Sequence, residues 1–177
     1  RLDKDTTGCL LVAKHPKAHM LLQRQFQERT VKKTYLALVA GIPAARSAVI
    51  DAPIGRDAHN RTTMSVLRHT GARHAQTTYK TLGSASGVSL LECDLHTGRT
   101  HQIRVHLASI GHPVLGDGTY ASAMSDESAA NLGIGFLCLH AWKLECDPVS
   151  GKKKISAVCA LPGNFLELLE KLKITLS

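Results

Sequence analysis

The sequence predicts an α+β fold, a largely antiparallel mixed sheet with flanking helices. Three observations lead there. Strand-like segments outnumber helical ones. Two of them, residues 75–82 and 88–95, flank the Gly-Ser-Ala-Ser-Gly turn at 83–87 and read as an antiparallel hairpin. Apolar residues at helical spacing recur in three separated places. At 177 residues the chain has the length of one domain, which usually runs to roughly 100–200 residues.

The elements follow in order. Residues 9–13 are a short apolar run after Gly8 and predict a buried strand. Over 15–28, Ala18, Leu22 and Phe26 recur every fourth residue with Leu21 beside them, opposite Lys17, Gln23, Arg24 and Gln27; this is an amphipathic helix. Residues 34–40 predict a second buried strand, stopped by Gly41 and Pro43, and 49–51 a short third. The polar stretch 55–61 reads as a turn, and 62–67 as a strand before the hairpin. Thr100 is placed to cap a helix carrying Ile103, Leu107 and Ile110, which ends at Gly111 with Pro113 beyond. Gly116–Gly118 is a turn, and 121–132 predicts a loop with one helical turn at most. Segments 136–145 and 154–160 read as strands joined by a turn at 148–151. The last helix is expected over 164–173, with Phe165, Leu168, Leu169 and Leu172 on one face.

Composition narrows the function. No apolar run approaches the about 20 residues a membrane span needs, so a transmembrane protein is excluded, and no signal peptide is visible. Five scattered cysteines, an odd number, argue for free thiols in a reducing compartment; the cytoplasm and an organelle both fit. Lys and Arg number 22 against 14 Asp and Glu, a net charge of +8. That surplus points to an anionic partner, nucleic acid first and an anionic membrane surface second. Aromatic residues are only 4%, too few for a broad stacking platform for single strands. The start at Arg1, not Met, reads as cut out of a longer chain.

Standard site patterns fail on inspection. The 83–87 turn has the spacing of a nucleophile elbow but carries Ala85 at its centre. Gly111–Gly116 has the spacing of a phosphate loop, but Asp117 stands where lysine is needed. Cys93 and His96 lie three apart on a predicted strand, hence on opposite faces, and no second pair has ligand spacing, so no metal site is expected. Two segments stand out instead: residues 1–8, and 97–106, which gathers Arg99, His101, Gln102, Arg104 and His106 around one helix start. Helix starts favour anions, and His101 and Arg104 share a helical face.

Together these segments resemble the RluA-type family of pseudouridine synthases. The likeness rests on Arg-Leu-Asp-x-x-Thr-x-Gly at 1–8 and Gly-Arg-Thr-His-Gln-Ile-Arg-Val-His at 98–106. It is joined by Lys-Thr-Tyr-Leu-Ala at 33–37, Gly-His-Pro-Val-Leu-Gly-Asp at 111–117 with Tyr120, and Leu-His-Ala at 139–141. It extends over essentially the whole chain, which reads as one catalytic domain over residues 1–177. Thr7 stands where the family more often has serine. The family's segment ahead of Arg1, with its histidine, and an accessory RNA-binding domain are not seen, and 121–132 reads as a variable loop.

The resemblance implies a pseudouridine synthase catalytic fold that isomerises uridine in structured ribosomal or transfer RNA, with no cofactor, as a monomer. It puts the reacting carboxylate on Asp3, a tyrosine that packs on the base or assists loss of the C5 proton on Tyr35, and the carboxylate's basic partner on Arg104. Arg1 falls on the arginine that helps hold the base out of its stack; Arg99, His101 and Gln102 would contact RNA. Two rivals are an RNA-binding module of the same fold without catalysis, and an unrelated phosphotransferase or nuclease. The presence of Asp3, Tyr35 and Arg104 argues against the first. The absence of a phosphate loop or clustered metal carboxylates argues against the second.

Overall fold

A computed structural model describes residues 1–57, 60, 62–67, 71–149 and 153–176. Nine strands and four helices are found among them: β1 (Thr7–Gly8), α1 (Pro16–Gln27), β2 (Lys32–Ala40), β3 (Ser47–Asp51), β4 (Ile54–Arg56), β5 (Met64–Val66), β6 (Gln76–Ala85), β7 (Val88–Leu95), α2 (Gln102–Ser109), α3 (Ala123–Leu132), β8 (Leu139–Cys146), β9 (Ile155–Val158) and α4 (Gly163–Leu172). Seven strands form one sheet in the order β1-β8-β2-β7-β6-β3, with β9 beside β8; β4 and β5 form a separate hairpin. Only the β1–β8 pair is parallel, so the expected mixed, largely antiparallel α+β architecture is what forms.

Strand β2 is central because its second half is apolar at every position. Leu36 to Ala40 have no exposed surface, as expected of a strand covered on both faces. The main core gathers β2 and β7 with Ile103 and Leu107 of α2 and Phe165, Leu168, Leu169 and Leu172 of α4. The hairpin between β6 and β7 turns more tightly than the sequence predicts. Its loop is Ser86-Gly87, both at positive φ (51° and 73°), the backbone that matches strand twist in a two-residue turn.

Several expectations are corrected. Residues 9–13 are not a strand. Cys9, Leu11 and Ala13 pack on a small second core with Leu22, Val31, Leu144 and Cys146, while Leu10 and Val12 are 60% and 70% exposed. The run thus alternates in burial and has no ladder partner; β1 lies just ahead of it. The turn expected over 55–61 begins as strand β4, and residues 58, 59 and 61 lie outside the description, as do 150 and 151 of the turn before β9. Residues 121–132 hold helix α3 in place of a loop. Ser122 and Ser125 bond reciprocally as a capping box, and Gly133 closes the helix at φ 71°. Serine at the third helical position hid this signal, which usually shows glutamate or glutamine there. The cap of α2 is His101, not Thr100, and its side chain makes no capping bond.

Candidate active site

The site assembles from the chain's first residues, strand β2 and the approach to α2. The Thr6 amide donates to the Asp3 carbonyl (3.2 Å), and Asp5, at φ 69°, takes the left-handed position this turn requires. Asp3 lines the same cleft as Lys33 and Tyr35 of β2. Opposite Thr34 and Tyr35, β8 carries one extra residue, Trp142, and the register shifts there. Such a bulge re-aims neighbouring side chains. Tyr35 lines a cleft of about 240 Å³ together with Arg1, Asp3, Thr6, Lys33, Arg99 and Gln102.

The loop into α2 is locked by one amide. Gln102 Oε1 accepts from Thr97 Oγ1 (2.7 Å) and the Arg99 amide (3.0 Å), while Nε2 donates to the Gln76 carbonyl (3.0 Å) and Thr77 Oγ1 (2.9 Å). All four hydrogen-bonding positions of the side chain are filled and it is buried. Gln102 is therefore a strut and has no polar atom left for RNA, which corrects its expected role. Arg99 is exposed by comparison; its Nε donates to the His74 carbonyl at 3.0 Å.

Behind the cleft stands Arg104. Its Nε and Nη2 donate to Asp117 Oδ2 and Oδ1, both at 2.7 Å, with side chains 8% and 0% exposed. Arg104, expected as the basic partner of Asp3, makes its two-point grip on Asp117. Asp117 Oδ1 also accepts from the Thr119 and Tyr120 amides. Burial opposes ionisation of Asp117, but these bonds outweigh it and hold its pKa below the ordinary value. For Arg104, too, burial works against the charge, and the bonds and charge of Asp117, aided by Asp3, more than restore it. The guanidinium carbon lies 5.0 Å from the Tyr120 ring centre. The Tyr120 hydroxyl accepts from the Met64 amide (3.0 Å) and shares a 2.8 Å hydrogen bond with His101 Nδ1. His101 and Arg104 do not line the cleft.

Asp3 is the group these elements share. Burial, then the Asp3 charge, push the Tyr35 phenol up to about 12. Burial, then Arg104, lower the His101 pKa, against the pull of Asp3 and Asp117. Asp3 also acts to raise Arg104 and Tyr120. Around this carboxylate the field is basic. The Lys33 pKa is lowered by burial and by Arg29, and that of Arg99 by burial, Arg29 and Arg73. The loop 98–100 also walls a second groove, of about 610 Å³, against the β4–β5 hairpin, lined by Arg56, Arg73 and Arg99. Among the described residues no cluster of three metal-ligating side chains occurs.

Sequence reasoning assigned no role to Asp117, Tyr120, Lys33 or Arg29. Lys33 was legible as the residue two before Tyr35, on the same strand face. Asp117 and Tyr120 carried a weaker signal, a carboxylate and an aromatic residue after a glycine turn. Arg29 had none.

Comparison with known proteins shows the family to which this fold belongs. Residues 1–109 match the RNA pseudouridylate synthase family. The chain is 45% identical over 175 residues to the ribosomal large subunit pseudouridine synthase D of Nitrosomonas europaea, covering 98% of this chain and 50% of that protein. It is 40% identical over 178 residues to the synthase D of Zymomonas mobilis, covering 99% and 56%. The solved structure of human RNA pseudouridylate synthase domain containing 4 superposes with a TM-score of 0.83 at 29% identity, covering 99% of this chain and 75% of that one. The chain belongs to the RluA-type family of RNA pseudouridine synthases. It spans about half the length of the curated relatives it matches.

Proposed function

We propose that the chain is a catalytic domain that isomerises uridine in structured RNA to pseudouridine, with Asp3 as the reacting carboxylate. One observation carries the reading. Asp3 and Tyr35, far apart in sequence, line one cleft, and Asp3 lies near enough to Arg104 for its charge to act on it. In the reaction the N1–C1′ bond breaks, the uracil turns, C5 bonds to C1′, C5 gives up its proton and N1 gains one. Attack on the sugar and removal of a sugar proton both require the same ionised carboxylate. Arg104, fixed by Asp117 and charged, supplies the field that favours it. A phenol with a pKa of about 12 is neutral at physiological pH, so Tyr35 serves the base first by packing against it. The base reaches the cleft only by leaving its stack, and Arg1 at the rim is placed to hold it there.

The names of the similar bacterial proteins favour large-subunit ribosomal RNA over transfer RNA as substrate. The direct test maps pseudouridines in total RNA from cells with and without the gene. The reading expects loss of pseudouridine at a defined ribosomal position, restored by the intact gene; an unchanged map would remove it.

The cationic surface around the cleft implies binding through phosphates. Affinity for RNA is expected to fall steeply between 50 and 200 mM salt, on the order of 10-fold or more if a few phosphates are neutralised. Replacing Arg73 or Arg99 with alanine should lower the slope of log affinity against log salt by about one each. Filter binding across a salt series measures both. A slope unchanged in both variants would take the second groove out of the RNA path.

A further inference from the structure

We infer that Thr7 and His140 are positioning residues for the reaction: the Thr7 hydroxyl, held by the buried His140 ring, fixes the loop that carries Asp3. The inference rests on the reading of Asp3 as the reacting group.

His140 has 1% of its surface exposed and sits on β8 directly opposite Thr7 in the parallel β1–β8 pair. Its Nε2 lies 3.1 Å from the Cys159 carbonyl, and its Nδ1 lies 2.7 Å from Thr7 Oγ1. A carbonyl only accepts, so Nε2 carries the hydrogen. In a neutral ring Nδ1 is then a bare acceptor, and the Thr7 hydroxyl donates to it. Burial lowers the His140 pKa and so favours this neutral form.

Little else ties down the loop. The strand β1 is two residues long. Beyond it, the Cys9 amide donates to the Ala141 carbonyl at 2.8 Å. The Asp3–Thr6 bond is internal to the loop. Among the described residues, Thr7 makes the only side-chain hydrogen bond from residues 1–8 to the rest of the protein. The contact is close as well as directed. Gly8, at φ 112°, lies so near β8 that a Cβ on it would fall 2.2 Å from the Ala141 carbonyl oxygen. Three residues separate Thr7 from Asp3, and the turn closing at Thr6 transmits the anchor's position to the carboxylate.

Without the hydroxyl, a buried Nδ1 loses its partner and the loop loses its one directional side-chain tether. A displacement of about 1 Å at a reacting group can cost on the order of 10²-fold in rate. The experiment compares Thr7→Val, Thr7→Ser and Asp3→Asn in the full-length protein. The probe is total RNA from cells lacking the gene, with single-turnover rates taken over a range of protein concentrations. Thr7→Val keeps size and branching but removes the donor. Its maximal rate should fall at least ~10-fold while the half-saturating protein concentration stays within about twofold, because Thr7 acts on the placement of Asp3 and not on RNA. Thr7→Ser keeps the hydroxyl and should rescue the rate. The inference is overturned if Thr7→Val turns over like the parent while Asp3→Asn is inactive, if Thr7→Ser fails as badly as valine, or if the loss lies in half-saturation alone. An active Asp3→Asn instead overturns the reading beneath it.

Discussion

Asp3→Asn is expected to fold, to bind RNA at least as tightly as the parent, and to form no pseudouridine. Asparagine matches aspartate in size and accepts the same turn, so the Thr6–Asp3 bond and the pairing of β1 with β8 persist. What is lost is the charge and with it the nucleophilic or basic oxygen. Binding is not expected to suffer, because the substituted charge is negative and lines the same cleft as the cationic Arg1, Lys33 and Arg99. Asp5→Asn is the control. Asp5 is exposed, and its φ of 69° is a conformation that asparagine adopts as readily as aspartate. Pseudouridine formation and RNA binding, measured on both variants in the full-length protein, separate the outcomes. Full activity in Asp3→Asn would take the reaction away from this carboxylate; activity lost only in Asp5→Asn would move it two residues along.

Arg104→Lys should damage both stability and rate, for one structural reason. The arginine uses two parallel bonds to hold a fully buried Asp117, and lysine can offer a single ammonium on a flexible stem. Loss of one charge-assisted bond is expected to cost about 1.5–3 kcal/mol, read as a lower denaturation midpoint. The rate of the folded fraction should fall by ~10-fold or more, since the positive field at Asp3 is no longer fixed in place. Asp117→Asn should produce a similar loss, and the double variant should be little worse than either, because all three break the same contact. A lower midpoint with an undiminished rate per folded molecule would make the pair purely structural.

Much of this was readable from residues alone, and the failures have identifiable causes. The sheet was legible because β2 and β7 carry long apolar runs and glycines punctuate the β6–β7 hairpin. Helix α1 was legible because Ala18, Leu22 and Phe26 recur at four-residue spacing. Helix α3 was missed because small residues carry little periodicity, and its serine capping box lies outside the usual pattern. In the site, Asp3, Tyr35 and Arg99 meet at the cleft as residue type and motif suggest. The role of Gln102 was misjudged because a polar residue beside basic ones looks like a contact, whereas its four partners come from β6 and the preceding loop. The hydrogen-bonded partner of Arg104, Asp117, was not foreseen for a related reason. A guanidinium takes the carboxylate that the fold brings nearest, and nothing in the local sequence tells it that the residue is thirteen positions on.

The pairing of β1 with β8 has a consequence for how the protein is made. Thr7 and His140 are 133 positions apart. A ribosome adding roughly 5–20 residues each second needs about 7–27 s to cross that interval. Throughout it the Asp3 segment has been synthesised but has no strand to lie against. The hairpin of β6 and β7 and its pairing with β2 can form in the meantime, since their residues have already emerged. The cleft that holds Asp3 is therefore completed late in synthesis, after most of the sheet. A nascent chain halted before β8 would carry Arg1, Lys33 and Arg99 of the cleft lining and yet have no strand to anchor the Asp3 segment.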